Sequence, residues 1–116
     1  MCHVLIIEDE ALVSLNIQLL LGEHGATSFD IAETEAEAID AAVIRRPDFI
    51  TSDVRLKTGT GPGAILAINE FFGLLPVIFI TASPECCERF GPAVRVFSKP
   101  LNEPLIAQAF RDLAPV

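Results

Sequence analysis

The stretch RRPDFITSDVRLKTGTG, residues 45–61, places an ionisable side chain at the exit of a short apolar strand. Pro47 ends the segment before it, because a proline disfavours helical geometry in the preceding residue. Phe49 and Ile50 then begin a strand that we expect to be buried, and Asp53 follows where that strand ends. A carboxylate at this position either caps a neighbouring element, is solvated in the loop, or reacts.

Length and composition predict one domain over residues 1–116, in a chain that is 51% hydrophobic. No apolar run is long enough to span a membrane. The first residues lead directly into a predicted strand, so we expect no signal peptide and a cytoplasmic protein with no membrane partner. A net charge of −8 disfavours binding to nucleic acid.

Cysteine and histidine spacing indicates no metal or redox motif. Cys2, Cys86 and Cys87 are odd in number, and we expect reduced thiols. His3 and His24 have no partner histidine or cysteine nearby in the sequence, so we interpret both as structural or surface residues.

Short apolar runs alternate with helical segments along the chain. Strands are predicted at 4–7, 28–31, 49–52, 77–80 and 94–97, and helices at 10–24, 34–46, 61–73, 84–90 and 103–113. This alternation predicts an α/β fold, a doubly wound five-stranded parallel sheet with helices on both faces. Thr34 and Glu37 have the spacing of a capping box at the second helix.

Two of these helices show apolar residues at helical spacing. In the first helix the residues are Leu12, Leu15, Leu19 and Leu20. In the last helix they form a predicted apolar face and are Leu105, Ile106, Ala109, Phe110 and Leu113.

Polar side chains follow four of the five predicted strands. Glu8 and Asp9 follow the first strand, Asp53 the third, Thr81 the fourth and Lys99 the fifth. In an open parallel sheet the active crevice lies at the carboxyl ends of the strands, so these groups should meet at one edge.

Three clustered carboxylates repel one another unless their pKa values rise or a cation binds. Oxygen ligands of this kind suit Mg²⁺. With Lys99 and Thr81 beside them, the set matches what phosphoryl transfer requires, and Asp53 would be the nucleophile that becomes an aspartyl phosphate.

The same residues also resemble a known family. The stretches VLIIEDE (4–10), ITSDVRLKTGTG (50–61), PVIFITA (76–82) and FSKP (97–100) are similar in order and spacing to the motifs of receiver domains of bacterial two-component response regulators. The resemblance implies a flavodoxin-like sheet of order 2-1-3-4-5. It also implies that Asp53 takes a phosphoryl group from a histidine kinase or histidine phosphotransferase. Within the family, the chain looks most like receivers of the general-stress pathway.

The resemblance assigns roles to individual residues. Glu8, Asp9, Asp53 and the backbone carbonyl of Arg55 would hold Mg²⁺, directly or through water. Thr81 and Lys99 would contact the phosphoryl group, and a cis peptide before Pro100 would aim Lys99 inward.

Three positions depart from the family pattern. Lys57 stands where a proline is common, which predicts a more mobile loop after Asp53. Val96 stands where many receivers have a switch aromatic, and Phe97 should point to the other face of the sheet. We therefore expect the switch to work through the loops after strands three and four.

Other interpretations remain open at this stage. An enzyme acting through an aspartyl phosphate would have a second acid where Arg55 stands. A flavin carrier would have a Ser/Thr-rich phosphate loop after the first strand, where the acids at 8–10 would instead repel the flavin phosphate. A receiver that works without phosphorylation is a third possibility. Glu10 is expected only to cap the first helix. The output is an unknown protein partner, or the domain is a phosphate sink or part of a longer regulator; we expect a monomer or weak homodimer.

Overall fold

The computed structural model describes residues 1–82 and 94–115. The strands are β1 (His3–Ile7), β2 (Ser28–Ala32), β3 (Phe49–Ser52), β4 (Val77–Thr81) and β5 (Val94–Ser98). The helices are α1 (Ala11–Glu23), α2 (Glu35–Ile44), α3 (Gly61–Phe72) and α4 (Glu103–Leu113). The short helix predicted at 84–90 lies outside the described residues. None of the helices in the described ranges is long and apolar enough to cross a bilayer.

The five strands form one parallel sheet in the order β2-β1-β3-β4-β5, as predicted. β1 lies between β2 and β3 because the chain reverses its direction of winding after β2. The carboxyl ends of β1 and β3 are therefore adjacent, which is the position where a doubly wound sheet opens a crevice.

Each face of the sheet carries its own apolar core. Val4 and Ile6 pack on the side of α1 and α4, and Leu5 and Ile7 pack on the side of α2 and α3. Every residue of β1 is buried, which explains its unbroken apolar run. The ring of Phe49 meets that of Phe110 edge-on at 5.0 Å between centroids, so β3 is tied to α4.

Three of the four leucines whose spacing predicted α1 do not lie on its buried face. Leu12 and Leu19 are 70% and 60% exposed, and Leu15 is also exposed. The buried residues are Ser14, Ile17, Leu20 and Leu21. Residues 14, 17 and 21 have the same spacing as 12, 15 and 19 but lie about 200° away around the helix axis. An apolar helix with two such stripes gives no periodic signal that distinguishes them.

The last helix follows its predicted bounds and most of its predicted face. Ile106, Ala109 and Phe110 are buried, and Leu113 packs against the same core. Leu105 was wrongly placed on this face and is exposed, because it precedes the stripe by one residue, about 100° around the axis.

The predicted capping box of α2 forms only in part. The Thr34 hydroxyl accepts from the Glu37 backbone N–H at 3.1 Å. The Glu37 carboxylate, however, accepts from the backbone N–H of Glu33 rather than that of Thr34. The Glu37 side chain therefore binds the backbone of the residue that precedes the N-cap.

His3 is a structural residue, as expected. Its Nδ1 lies 2.8 Å from the Ser28 hydroxyl and its Nε2 lies 2.9 Å from the Asp30 carboxylate. Arg45 donates to the same hydroxyl at 2.9 Å. These contacts join the edge strand β2 to β1 and to the end of α2.

The side chains of Val96 and Phe97 point to opposite faces of β5. Val96 packs against the core under α2 and α3, and Phe97 packs against the core under α1 and α4. The predicted displacement of the aromatic residue to the other face is confirmed.

Candidate functional site

The structure brings four of the predicted site residues into contact at the carboxyl edge of the sheet. Glu8 and Asp9 follow β1, Asp53 follows β3 and Lys99 follows β5. Thr81 is the last residue of β4 and is buried, and its carbonyl accepts from the Lys99 backbone N–H at 2.9 Å. The peptide bond between Lys99 and Pro100 is cis, as the resemblance implied.

Asp53 is held rigidly at the end of β3. It is 8% exposed, and its Oδ1 accepts from the Val54 backbone N–H at 2.7 Å. The Ser52 hydroxyl donates to the Asp53 carbonyl at 2.7 Å. Gly61 lies directly beneath, and a side chain there would collide with this carbonyl and this hydroxyl. The glycine therefore lets α3 begin close to Asp53.

Lys99 neutralises part of the acidic cluster. Its Nζ lies 2.8 Å from Asp53 Oδ2, 3.1 Å from Glu10 Oε1 and 3.2 Å from Glu8 Oε1. Burial alone would lower the pKa of the Lys99 ammonium, but its hydrogen bonds to Asp53 and Glu10 and the charge of Glu8 outweigh burial and raise that pKa. The side chain is therefore firmly cationic at neutral pH.

Glu8 is the most deeply buried acid of the cluster, at 2% exposure. Burial raises the pKa of its carboxyl group to about 7, although the hydrogen bond from the Glu10 backbone N–H and the charge of Lys99 act in the opposite direction. Near neutral pH this group exchanges a proton, so the charge of the site depends on pH.

The sequence prediction for Glu10 is wrong. It is the N-cap residue of α1, but its side chain makes no capping hydrogen bond. Its carboxylate instead contacts Lys99 and belongs to the acidic cluster. The run of three consecutive acids after β1 was the available signal for this contact. The ends of β1 and β5 lie at the same edge of the sheet, so Lys99 can reach the third acid as well as the first.

The acidic cluster is suited to a hard divalent cation. One carboxylate oxygen from each of Glu8, Asp9, Glu10 and Asp53 can lie within 4.8 Å of the others. Four carboxyl groups face one ammonium, so negative charge remains to be neutralised. Oxygen donors in this number fit Mg²⁺, which needs few protein ligands and retains water.

The loop after Asp53 makes contacts that the sequence did not predict. Arg55 and Thr60 form an antiparallel bridge, and the Gly61 backbone N–H donates to the Val54 carbonyl at 2.8 Å. Lys57, expected to loosen the loop, forms an ion pair with Glu33 at 3.3 Å. The mobility of this loop stays a prediction, although the segment before α2 supplies a partner for it.

A sequence model of the response regulator receiver domain matches residues 4–111. The chain belongs to this family. It is therefore a signalling domain of two-component systems rather than a classical enzyme. The rival interpretations as an aspartyl-phosphate enzyme or a flavin carrier are not supported.

Relatives of this receiver domain include several proteins called PhyR. The phyllosphere-induced regulator PhyR of Methylorubrum extorquens is 36% identical over 86 residues, which are 72% of this chain and 32% of the relative. The PhyR receiver domain of Erythrobacter litoralis has a TM-score of 0.86 at 29% identity, covering 97% of this chain and 88% of that one.

A structure of the anti-anti-sigma factor PhyR from Bartonella quintana has a TM-score of 0.75 at 34% identity, covering 97% of this chain and 50% of that one. The receiver domain spans about a third of the length of the curated relatives it matches. Similarity to them therefore concerns the receiver portion.

Proposed function

We propose that this receiver domain accepts a phosphoryl group on Asp53 from a phosphohistidine of a histidine kinase or histidine phosphotransferase, and that phosphorylation changes its protein contacts. The observation that carries the proposal is the Asp53 carboxylate, buried among acids and bonded to Lys99 at 2.8 Å. No other aspartate in the described ranges combines this position with a family motif.

The reaction is an in-line displacement at phosphorus. Asp53 Oδ2 attacks, the phosphorus–nitrogen bond of the donor breaks, and the electron pair leaves with the histidine ring, which takes up a proton. Lys99 contacts Asp53 Oδ2 before the reaction. After transfer its ammonium group would pair with an oxygen of the phosphoryl group. Thr81, at the end of the neighbouring strand, would donate its hydroxyl to another oxygen.

Glu8, Asp9, Asp53 and the backbone carbonyl of Arg55 would hold Mg²⁺ in this site. Bound there, the ion supplies positive charge that offsets the repulsion between the acidic cluster and the incoming phosphoryl group. The chain's own contribution is the placement of oxygen donors on two adjacent strand ends, with the Lys99 ammonium in contact with acids from both.

The test is incubation with acetyl phosphate and Mg²⁺, followed by intact-mass measurement. The wild-type domain and an Asp40→Asn control, altered at an exposed acid of α2, should each gain one phosphoryl group. Asp53→Asn should gain none, since an amide cannot act as the nucleophile. Equal labelling of Asp53→Asn and the control would overturn the assignment.

We also propose that the domain acts in general-stress signalling, because PhyR proteins are among its relatives and one of them is described as a stress response regulator. A phosphotransfer profile against purified histidine kinases and histidine phosphotransferases tests this: the donor that serves a PhyR protein should phosphorylate this domain fastest. A pull-down with the beryllofluoride form, in which beryllofluoride stands in for the phosphoryl group, separates a regulator from a phosphate sink. A regulator gains a protein partner, and a sink does not.

A further inference from the structure

Glu35, the first residue of α2, holds the loop that follows Asp53. Its backbone N–H donates to the Thr58 carbonyl at 3.1 Å, and its Oε1 accepts from the Thr60 backbone N–H at 2.9 Å. Glu35 therefore makes two hydrogen bonds to the loop at 54–60, one as a donor and one as an acceptor. Nothing in the capping pattern of α2 predicts these contacts, because they join segments that are 23 or more residues apart in the sequence.

The contact with Thr60 completes a capping box that α3 cannot make by itself. Thr60 is the N-cap of α3, and its hydroxyl accepts from the Gly63 backbone N–H at 3.0 Å. In an ordinary capping box, the side chain of the third helical residue returns to the N-cap N–H. Gly63 holds that third position and has no side chain. Glu35 supplies the missing acceptor from another helix.

The packing around Glu35 agrees with its role in place of a side chain of α3. A Cβ on Gly63 would lie 2.6 Å from Glu35 Oε1, so the carboxylate occupies the volume that a local side chain would need. Gly59, with a φ of 79°, passes so close to Glu35 that a side chain there would collide with it. Both glycines leave room for the same carboxylate.

We propose that Glu35 is a positioning residue for cation binding and phosphorylation at Asp53. Glu35 binds the backbone N–H of Thr60, and Thr60 pairs with Arg55 in an antiparallel bridge. The backbone carbonyl of Arg55 is the proposed Mg²⁺ ligand from this loop. Glu35 thus sets the position of the Arg55 backbone before an ion arrives. This inference rests on the proposed function, because the Arg55 carbonyl matters only if the site binds Mg²⁺.

The first test compares Glu35→Ala and Glu35→Gln with an Asp40→Ala control on the same helix. Amide hydrogen exchange reports the Thr60 N–H, and an NMR titration reports Mg²⁺ affinity. In Glu35→Ala the Thr60 amide should exchange roughly tenfold faster or more, and Mg²⁺ should bind roughly tenfold more weakly. Glu35→Gln keeps an oxygen acceptor and should retain most of both properties, and the control should match wild type.

A second test moves the acceptor to the place where a capping box normally has it. Gly63→Glu alone should disturb the loop, since its side chain meets that of Glu35. In the double variant Glu35→Ala/Gly63→Glu the carboxylate of residue 35 no longer fills this space, and a local capping box can bind the Thr60 N–H. Thr60 protection and Mg²⁺ affinity should both recover relative to Glu35→Ala, so the two substitutions are coupled.

The proposal is overturned if Glu35→Ala leaves Mg²⁺ affinity at the wild-type value, or if Glu35→Gln loses as much as Glu35→Ala. It is also overturned if affinity falls only in proportion to the unfolded fraction seen in urea titrations. Should the wild-type domain bind no Mg²⁺ and take no phosphate, the proposed function fails and the positioning role fails with it. Thr60 exchange would then still show whether Glu35 holds the loop.

Discussion

Burial of the Glu8 carboxyl makes the stability of the domain depend on pH. The folded-state pKa is raised from 4.5 to about 7, so below about pH 4.5 the group is protonated in both folded and unfolded states and changes nothing. As pH rises from about 4.5 to about 7, the Glu8 carboxyl group loses its proton in the unfolded chain before it does so in the folded domain. The folded state therefore loses stability, by on the order of 3 kcal/mol once pH exceeds about 7.

Urea unfolding of wild type and Glu8→Gln in metal-free buffer measures this effect. Gln mimics the neutral carboxyl group, so the free energy of unfolding of Glu8→Gln should exceed that of wild type at about pH 8 and approach it near pH 5. A difference between the two proteins that stays constant over this range would show that Glu8 ionises normally in the folded domain.

At the scale of single residues, the sequence predicted the acids and the lysine well but not their pairing. Asp53, Glu8, Asp9 and Lys99 were identified because strand ends collect at one edge. The Glu10 contact with Lys99 depends on side-chain reach across 89 residues of sequence, which spacing along the chain does not encode.

At the scale of elements, α1 offers two leucines of the same helix in opposite environments. Leu21 is fully buried and Leu19 is 60% exposed. Leu21→Ala should cost about 3 kcal/mol in the free energy of unfolding through lost packing and the cavity left behind. Leu19→Ala should change it by less than about 0.5 kcal/mol. Denaturant titrations of both variants check this, and equal losses would contradict the assignment of the buried face.

The strands of the described chain were predictable because short apolar or alternating runs mark them, most of them close to a glycine or proline, whereas the strand order followed from the family resemblance. The buried face of α1 was not predictable, because its leucines form a second stripe with the same period as the buried one. The contacts of the loop after Asp53 were not predictable for a related reason. Glu33 and Glu35, which contact this loop, belong to a segment that is distant in the sequence.

At the scale of the whole molecule, the phosphorylated state should differ mainly in the loops at the carboxyl edge. Val96 packs into the core with an aliphatic side chain, so no aromatic ring at this position can rotate inward. The incoming charge draws Thr81 and Lys99 toward it and shifts a population of loop conformations. Thr81→Ala should therefore still be phosphorylated but lose partner binding.

Amide exchange of the metal-free and beryllofluoride-treated forms locates the change. Protection should alter at 54–60 and 81–82 and stay nearly constant at 94–97. If the response instead concentrates at 94–97 and spares 54–60, then β5 rather than the loops carries the switch.

The three contacts of Lys99 also bear on how much of a cation the acidic cluster would need before it fills. A tethered ammonium acts as an intramolecular competitor, and its effective concentration beside the carboxylates is on the order of millimolar or higher. Every external cation must compete with it for the same oxygens, including those transition metals whose intrinsic affinity for oxygen and nitrogen ligands exceeds that of Mg²⁺. The competition weakens the apparent affinity of each cation by the same factor, so it leaves the order of preference unchanged and raises the concentration at which any of them would fill the site.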